Sequence, residues 1–283
     1  MHEPSPLFDR NALALRRQRA VRQGAADFLH DWAAEEVKER LTAVNRTFRD
    51  AAVVGPRPGV WASHLAEPGR HWQEVTDGDV LGLEPDSLDL VIHALGLHWA
   101  NDPVGQLIQS RRALRPDGLF IAVLFGGETL RELRQALTAA EVAETGGLSP
   151  RIAPMAEIRD LGGLMQRAGL ALPVADSLRV PVSYPSMLAL MRDLRAMGET
   201  NVLSDRLRRP TRRGVLAAAA ADYAARHGDA EGRIPATFDL IVLTGWAPAA
   251  SQPQPLRPGS ATSRLADALE RPVSGFDAQD REG

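Results

Sequence analysis

Two largely apolar runs, "LDLVIHAL" at 88–95 and "LFIAVLFG" at 119–126, limit what this chain can fold into more than any other feature. A strand with one wet face alternates apolar with polar residues, whereas a run without alternation must be covered on both faces. Between the two lies a helical pattern, roughly Pro103–Leu114, which Pro116 is expected to stop before Asp117-Gly118 turns into the next strand. Strand, helix, strand is the repeating unit of a parallel sheet clothed by helices. Shorter runs extend the series: "AAVVG" at 51–55 and "HWQEV" at 71–75 read as strands, and "LPVADSLRVPVSY" alternates like one. "FDLIVLTGW" at 238–246 closes the regular structure and is expected to lie antiparallel at one edge. The predicted fold class is α/β, a mostly parallel sheet flanked by helices.

Residues 1–48 read as an N-terminal helical cap, with Phe28, Leu29, Trp32, Val37, Leu41 and Val44 spaced as an apolar stripe and Asp9 as an N-cap candidate. The α/β domain is expected over 49–248, with helical insertions at 150–170 and 185–235. A helix is expected to begin near Glu128, with acids in its first turn. Residues 249–283, rich in Pro, Ser and Ala, have little to bury and are expected to form a mobile tail.

Composition removes several function classes. The net charge is -3 over 283 residues, which gives no global reason to expect nucleic acid or an anionic membrane as partner. Cysteine is absent, so disulfides, thiolate nucleophiles and cysteine-based metal sites are excluded, and a cytoplasmic location is the expectation. No apolar stretch reaches the roughly 20 residues that span a bilayer, so stable membrane insertion is not expected. The arginine-rich opening raises the question of a targeting peptide, and Glu3 and Asp9 argue against one. The patterns of serine hydrolases, zinc proteases, P-loop enzymes and EF-hands are missing.

What remains is a cofactor-type sheet with an altered first turn. Gly55 and Gly59 follow the apolar run at 51–55, as in a strand, tight turn and helix that let a ligand approach the backbone. Between them Pro56 and Pro58 remove two N–H donors, and Arg57 stands at the middle position. Two such glycines serve equally as a purely structural turn. Asp77, beside Gly78, reads either as a contact to a nucleoside ribose or adenine or as a turn former. "HALGLHWANDP" sets His93, His98, Trp99, Asn101 and Asp102 at a strand end; a two-histidine, one-carboxylate iron site is conceivable there, but loop histidines and an Asp102 helix cap are the simpler reading, and no metal is expected. "DRLRRPTRRG" at 205–214 is either a solvated basic loop or a patch for an acidic partner.

A resemblance spans nearly the whole chain. "LFDRNALALRRQRAV", "LDLVIHALGLHWANDP", "LRPDGLFIAVLFGGETLRELR", "GGLSPRIAP", "DLGGLMQRAGL", "LRAMGETN", "VLAAAAADY", "IPATFDLIVLTGW" and "RPGSATS" together resemble the class I S-adenosylmethionine-dependent methyltransferase relatives that act as complex I assembly factors, the arginine-hydroxylating type included. The resemblance implies a Rossmann-like class I methyltransferase fold, S-adenosylmethionine as cofactor, and a complex I subunit as protein substrate. It assigns Gly55, Arg57, Gly59, Asp77, Gly78 and Ala94 to the cofactor side, and His98, Trp99, Gly127, Glu128, Glu199 and Asn201 to the substrate side. The departures cluster in one place. Val53 stands where the family has an acid, Arg57 replaces the middle glycine, and Gly59–Ser87 is shorter by about one strand-helix unit. Weakened cofactor binding is therefore expected, and no catalytic base can be named. The functional expectation is a methyltransferase-family protein that modifies or chaperones a complex I subunit; the alternatives are a non-catalytic assembly chaperone and a biotin-synthesis-type carrier-protein O-methyltransferase.

Overall fold

The computed structural model describes residues 6–253, so the expected tail and the "RPGSATS" segment lie almost wholly outside the described residues. The N-terminal cap consists of two helices. α1 (Arg10–Gln23) starts at Asp9, whose carboxylate accepts from the Ala12 amide at 2.9 Å, and stops at Gly24, which takes the left-handed φ of +88°. α2 (Phe28–Ala43) buries Leu29, Ala33, Ala34, Val37 and Leu41 against the sheet. Trp32 was expected on that stripe and instead is 37% exposed.

The sheet has six strands among the described residues: β1 (Asp50–Val54), β2 (His71–Val75), β3 (Leu88–Ala94), β4 (Leu114–Phe125), β5 (Ala171–Tyr184) and β6 (Ile234–Trp246), in the order β2-β1-β3-β4-β6-β5. β1 to β4 are parallel, and β6 runs antiparallel to both β4 and β5. β6 therefore lies inside the sheet, not at its edge as expected; β5 holds that edge. Six strands agree with the expected loss of one strand-helix unit between Gly59 and Ser87, where α3 (Pro58–His64) and β2 are the elements present.

Strand alternation sorts the central residues onto two faces. Ala51 and Val53 of β1 and Leu119, Ile121, Val123 and Phe125 of β4 pack with α2, α5 (Arg131–Thr145) and α8 (Arg213–His227). Ala52 and Val54 with Phe120, Ala122 and Leu124 face α4 (Pro103–Ala113) and α6 (Ile158–Arg167). Both faces are apolar, which is why these runs show no alternation in sequence.

Two boundaries differ from expectation. α4 ends at Ala113, and Leu114 is already extended, so the Arg115–Gly118 stretch is a bulge inside β4: Leu88 pairs with Leu114 but Leu90 with Leu119. α5 begins at Arg131, three residues after Glu128, because Leu130 takes a left-handed φ of 55° that a helix cannot include.

β1 and β3 meet closely at their carboxyl ends. A Cβ on Gly55 would stand 2.3 Å from the Ala94 carbonyl oxygen, so only glycine fits. Gly55→Ala is expected to lower stability by at least about 2 kcal/mol in urea denaturation, while Gly147→Ala, whose Cβ enters open space, stays within about 0.5 kcal/mol. Equal effects would contradict this close approach.

Candidate functional site

The carboxyl ends of β1 and β3, where an open α/β sheet receives its ligand, are covered by α1. Arg17 places Nη1 2.7 Å from Asp77 Oδ1, and Arg10 lies 3.8 Å from Oδ2 while donating to the Asp77 carbonyl and, at 3.0 Å, to that of Trp99. Asp77 is 4% exposed. Its carboxylate also fills the space over Gly96, where a Cβ would come within 2.9 Å of Oδ2. Gly78 accepts from the Gln106 amide at 2.8 Å, which fixes the turn after β2 to α4. Ala94 is fully buried against Gly55. Arg57 turns away from the strand ends and donates to Asp27 at 2.6 Å, at the start of α2. Pro58 occupies the first turn of α3, where a missing N–H costs little.

Glu74 was not singled out from the sequence. It pairs in register with Val53, two residues short of Gly55, and its carboxylate faces Gly59 of α3, 3.2 Å from where a Cβ would stand. The signal was its place near the end of the strand after the glycine turn.

A second group of polar side chains lies between the sheet and α7 (Met187–Met197). α7 ends at Gly198 with a φ of +80°, and the Glu199 amide folds back to the Leu194 carbonyl at 2.9 Å. This glycine cap directs Glu199 inward. Glu199 Oε2 accepts from Trp99 Nε1 at 2.6 Å and pairs with His98 Nε2 at 3.2 Å, both on the 3-10 turn Leu97–Trp99. Burial opposes its charge, but His98, Arg17 and the Trp99 donor hold its carboxyl below the usual range. Nearby, His30 Nδ1 accepts from Trp61 Nε1 at 2.9 Å, and burial lowers the His30 pKa to about 4. The imidazole is neutral.

Beside Glu199 opens a cavity of about 310 Å³. Trp99, Glu199 and Asn201 line it, as do Thr200 and Arg206, the latter from the basic 205–214 run, and Arg16, Arg151 and Arg195, to which sequence reasoning gave no role. His98 stands behind Glu199 rather than on the wall. Asn201 is spent on structure, donating to the Pro150 carbonyl at 2.8 Å and accepting from the Leu203 amide at 3.0 Å. Gly127 and Glu128 are not brought to the cavity: Gly127 packs on Glu157, and Glu128 is exposed and paired with Arg131 at 2.8 Å. None of Gly55, Arg57, Gly59, Asp77, Gly78 or Ala94 lines it.

His93, His98 and Asp102 do not converge. His93 Nε2 is hydrogen-bonded to Ser110 Oγ at 2.8 Å on the opposite face, and Asp102 caps α4 by accepting from the Gly105 amide at 2.8 Å. Among the described residues no group of three His, Cys, Asp or Glu side chains is placed to hold a metal ion. No helix there is long and apolar enough to cross a membrane.

A parallel half-sheet with a glycine turn at its centre, completed by an antiparallel pair, defines a methyltransferase-type α/β protein, and the family described as methyltransferase domain matches residues 28–122. The mitochondrial arginine-hydroxylase NDUFAF5 of Danio rerio is 36% identical over 263 residues, covering 85% of this chain and 82% of its own length. The same protein of Homo sapiens is 34% identical over 281 residues, with 90% and 81% covered. The malonyl-[acyl-carrier protein] O-methyltransferase of Laribacter hongkongensis is 36% identical over 174 residues, with 62% of this chain and 56% of that protein covered. The chain belongs to the NDUFAF5 arginine-hydroxylase family of class I S-adenosylmethionine-dependent methyltransferase relatives.

That membership implies S-adenosylmethionine as the cofactor, and the residues present fit it in part: Glu74 faces Gly59, while Asp77 is already engaged by α1. The ligand is a sulfonium cation. Arg10 and Arg17 already neutralise the buried carboxylate at the strand ends. The buried atoms left without a hydrogen-bond partner there include Arg17 Nε and Nη2, which donate, and Asp77 Oδ2, which accepts. Pro56 and Pro58 remove backbone donors from the turn.

Two buried imidazoles generate a pH dependence. Burial lowers His30 to about 4 and His93 to about 3, so both fold neutral, while in the unfolded chain each takes up a proton near pH 6.5. The unfolded state binds more protons in this interval, so stability is full above about pH 6.5 and falls as pH drops toward 4, by about 1.4 kcal/mol per pH unit for each histidine. Urea titrations between pH 6 and 5 should show this slope, reduced by about one proton in His93→Gln; an unchanged slope would remove His93 from the account.

Proposed function

We propose that this protein is a non-catalytic member of its family, a cytoplasmic assembly chaperone for a respiratory complex I subunit that works by binding rather than by methyl transfer or hydroxylation. The observation that carries this reading is the pair of α1 arginines on Asp77, which engages the buried carboxylate that the cofactor's ribose or adenine would need. Support comes also from what is retained. The sheet, the Glu199 cluster and the open cavity are kept, although the cofactor turn has lost its donors. The arginine-hydroxylases of Danio rerio and Homo sapiens match over more than four fifths of their length, and the malonyl-carrier methyltransferase of Laribacter hongkongensis over little more than half of its own. The carrier-protein reading is accordingly set second.

Calorimetric titration with S-adenosylmethionine and with its demethylated product is expected to give no saturable binding up to about 1 mM, a Kd limit of roughly 4 kcal/mol. Arg57→Gly should change nothing, since that side chain is engaged with Asp27. Submillimolar binding would overturn the reading. In cells lacking the protein, complex I abundance should fall while the arginine masses of its remaining subunits stay unchanged; a mass difference of one oxygen or one methyl group would identify an enzyme.

A further inference from the structure

The 310 Å³ cavity is an apolar well with a cationic rim, and its charges do not balance. Phe125, Leu133, Leu137 and Phe238 form its inner wall, continuous with the main core. Four arginines and one glutamate line it. Arg151 is committed to Glu141, with contacts of 2.6 and 2.8 Å, and Arg206 to Asp9 at 2.8 Å. Glu199 already accepts from Trp99 and His98. Arg16 and Arg195 are left without a carboxylate partner among the described residues: Arg16 donates to the Thr200 hydroxyl at 2.7 Å and Arg195 to the Met191 carbonyl at 3.2 Å.

Arg16 is the more buried of the two. Burial, then repulsion by Arg206 and Arg19, lower its pKa against the pull of Asp9. A nearby anion would reverse that balance. The Glu199 carboxylate that shares the lining makes both of its contacts, to Trp99 and His98, through Oε2. The pocket is at the small end of ligand sites, which suits one unbranched stem better than a folded peptide.

We infer that the cavity binds a small amphiphilic anion of the acyl carboxylate class, its carboxylate against Arg16 and Arg195 and its hydrocarbon stem along the Phe125–Leu133–Phe238 wall. The inference rests on the reading of this cavity as the retained ligand site, and not on the loss of the cofactor. Calorimetry on the full chain with sodium decanoate below its micelle concentration is expected to give saturable binding of one per chain, with decylamine and sodium acetate at least tenfold weaker. Arg16→Gln should weaken decanoate at least tenfold. Arg195→Gln, at an exposed position that the fold does not depend on, should weaken it several-fold, and Met191→Trp should block entry. Decylamine binding as tightly as decanoate, acetate matching decanoate, or the Arg16→Gln/Arg195→Gln double variant remaining within twofold of the parent would each overturn the proposal. A parallel titration with S-adenosylmethionine keeps the two readings separate, because saturable binding there sinks the non-catalytic reading and leaves this one standing.

Discussion

A guanidinium set against a carboxylate that water barely reaches organises the ligand edge of this protein. Removing one partner of such a pair leaves an uncompensated buried charge, a cost of about 3 to 5 kcal/mol, so Arg17 and Asp77 hold α1 on the sheet as firmly as its apolar contacts do. Everything at that edge follows. Arg10 is drawn to the same residue, Trp99 receives a donor on its carbonyl, and the turn after β2 is fixed through Gln106. A contact that stabilises the apo fold in this way competes with any ligand that needs the same carboxylate.

The parallel half of the sheet was legible because strands buried on both faces must be largely apolar: Leu119–Phe125 is so throughout, and Leu88–Ala94 is so apart from Asp89 and His93. The order of the antiparallel pair was misread, although the sequence held the sign: Pro173 and Pro181 both fall in β5, and a residue without an N–H is tolerated on an edge strand and not in the middle of a ladder. The Arg115–Gly118 bulge was taken for a turn because Pro-Asp-Gly satisfies both, and only pairing with β3 decides. At the site, Trp99 and Glu199 were found through resemblance, 100 residues apart in sequence and 2.6 Å apart in space. Arg16 was passed over because an arginine in a basic opening segment looks solvated, and nothing in local sequence tells that Thr200 will lie beside it.

The cavity's charges are not balanced by its own side chains. The cavity presents two arginines with no carboxylate of their own, beside the Glu199 carboxylate. Where the carboxylates went is visible: Asp9 caps α1 and holds Arg206, and Glu141 fastens the segment around Arg151, its own carboxyl drawn down to about 2 by that arginine. The same side chains that rigidify the cavity's surroundings leave its interior positive.

The shortened stretch between Gly59 and Ser87 also decides how the sheet ends. With a unit gone, β2 becomes the outermost parallel strand, and an outermost strand offers unsatisfied amides and carbonyls to any passing chain. β2 is five residues long and exposes His71, Gln73 and Glu74, so it is a poor template for self-association. Trimming an α/β sheet from this side leaves a soluble border instead of an adhesive one, which is a condition any further shortening of such a domain would also have to meet.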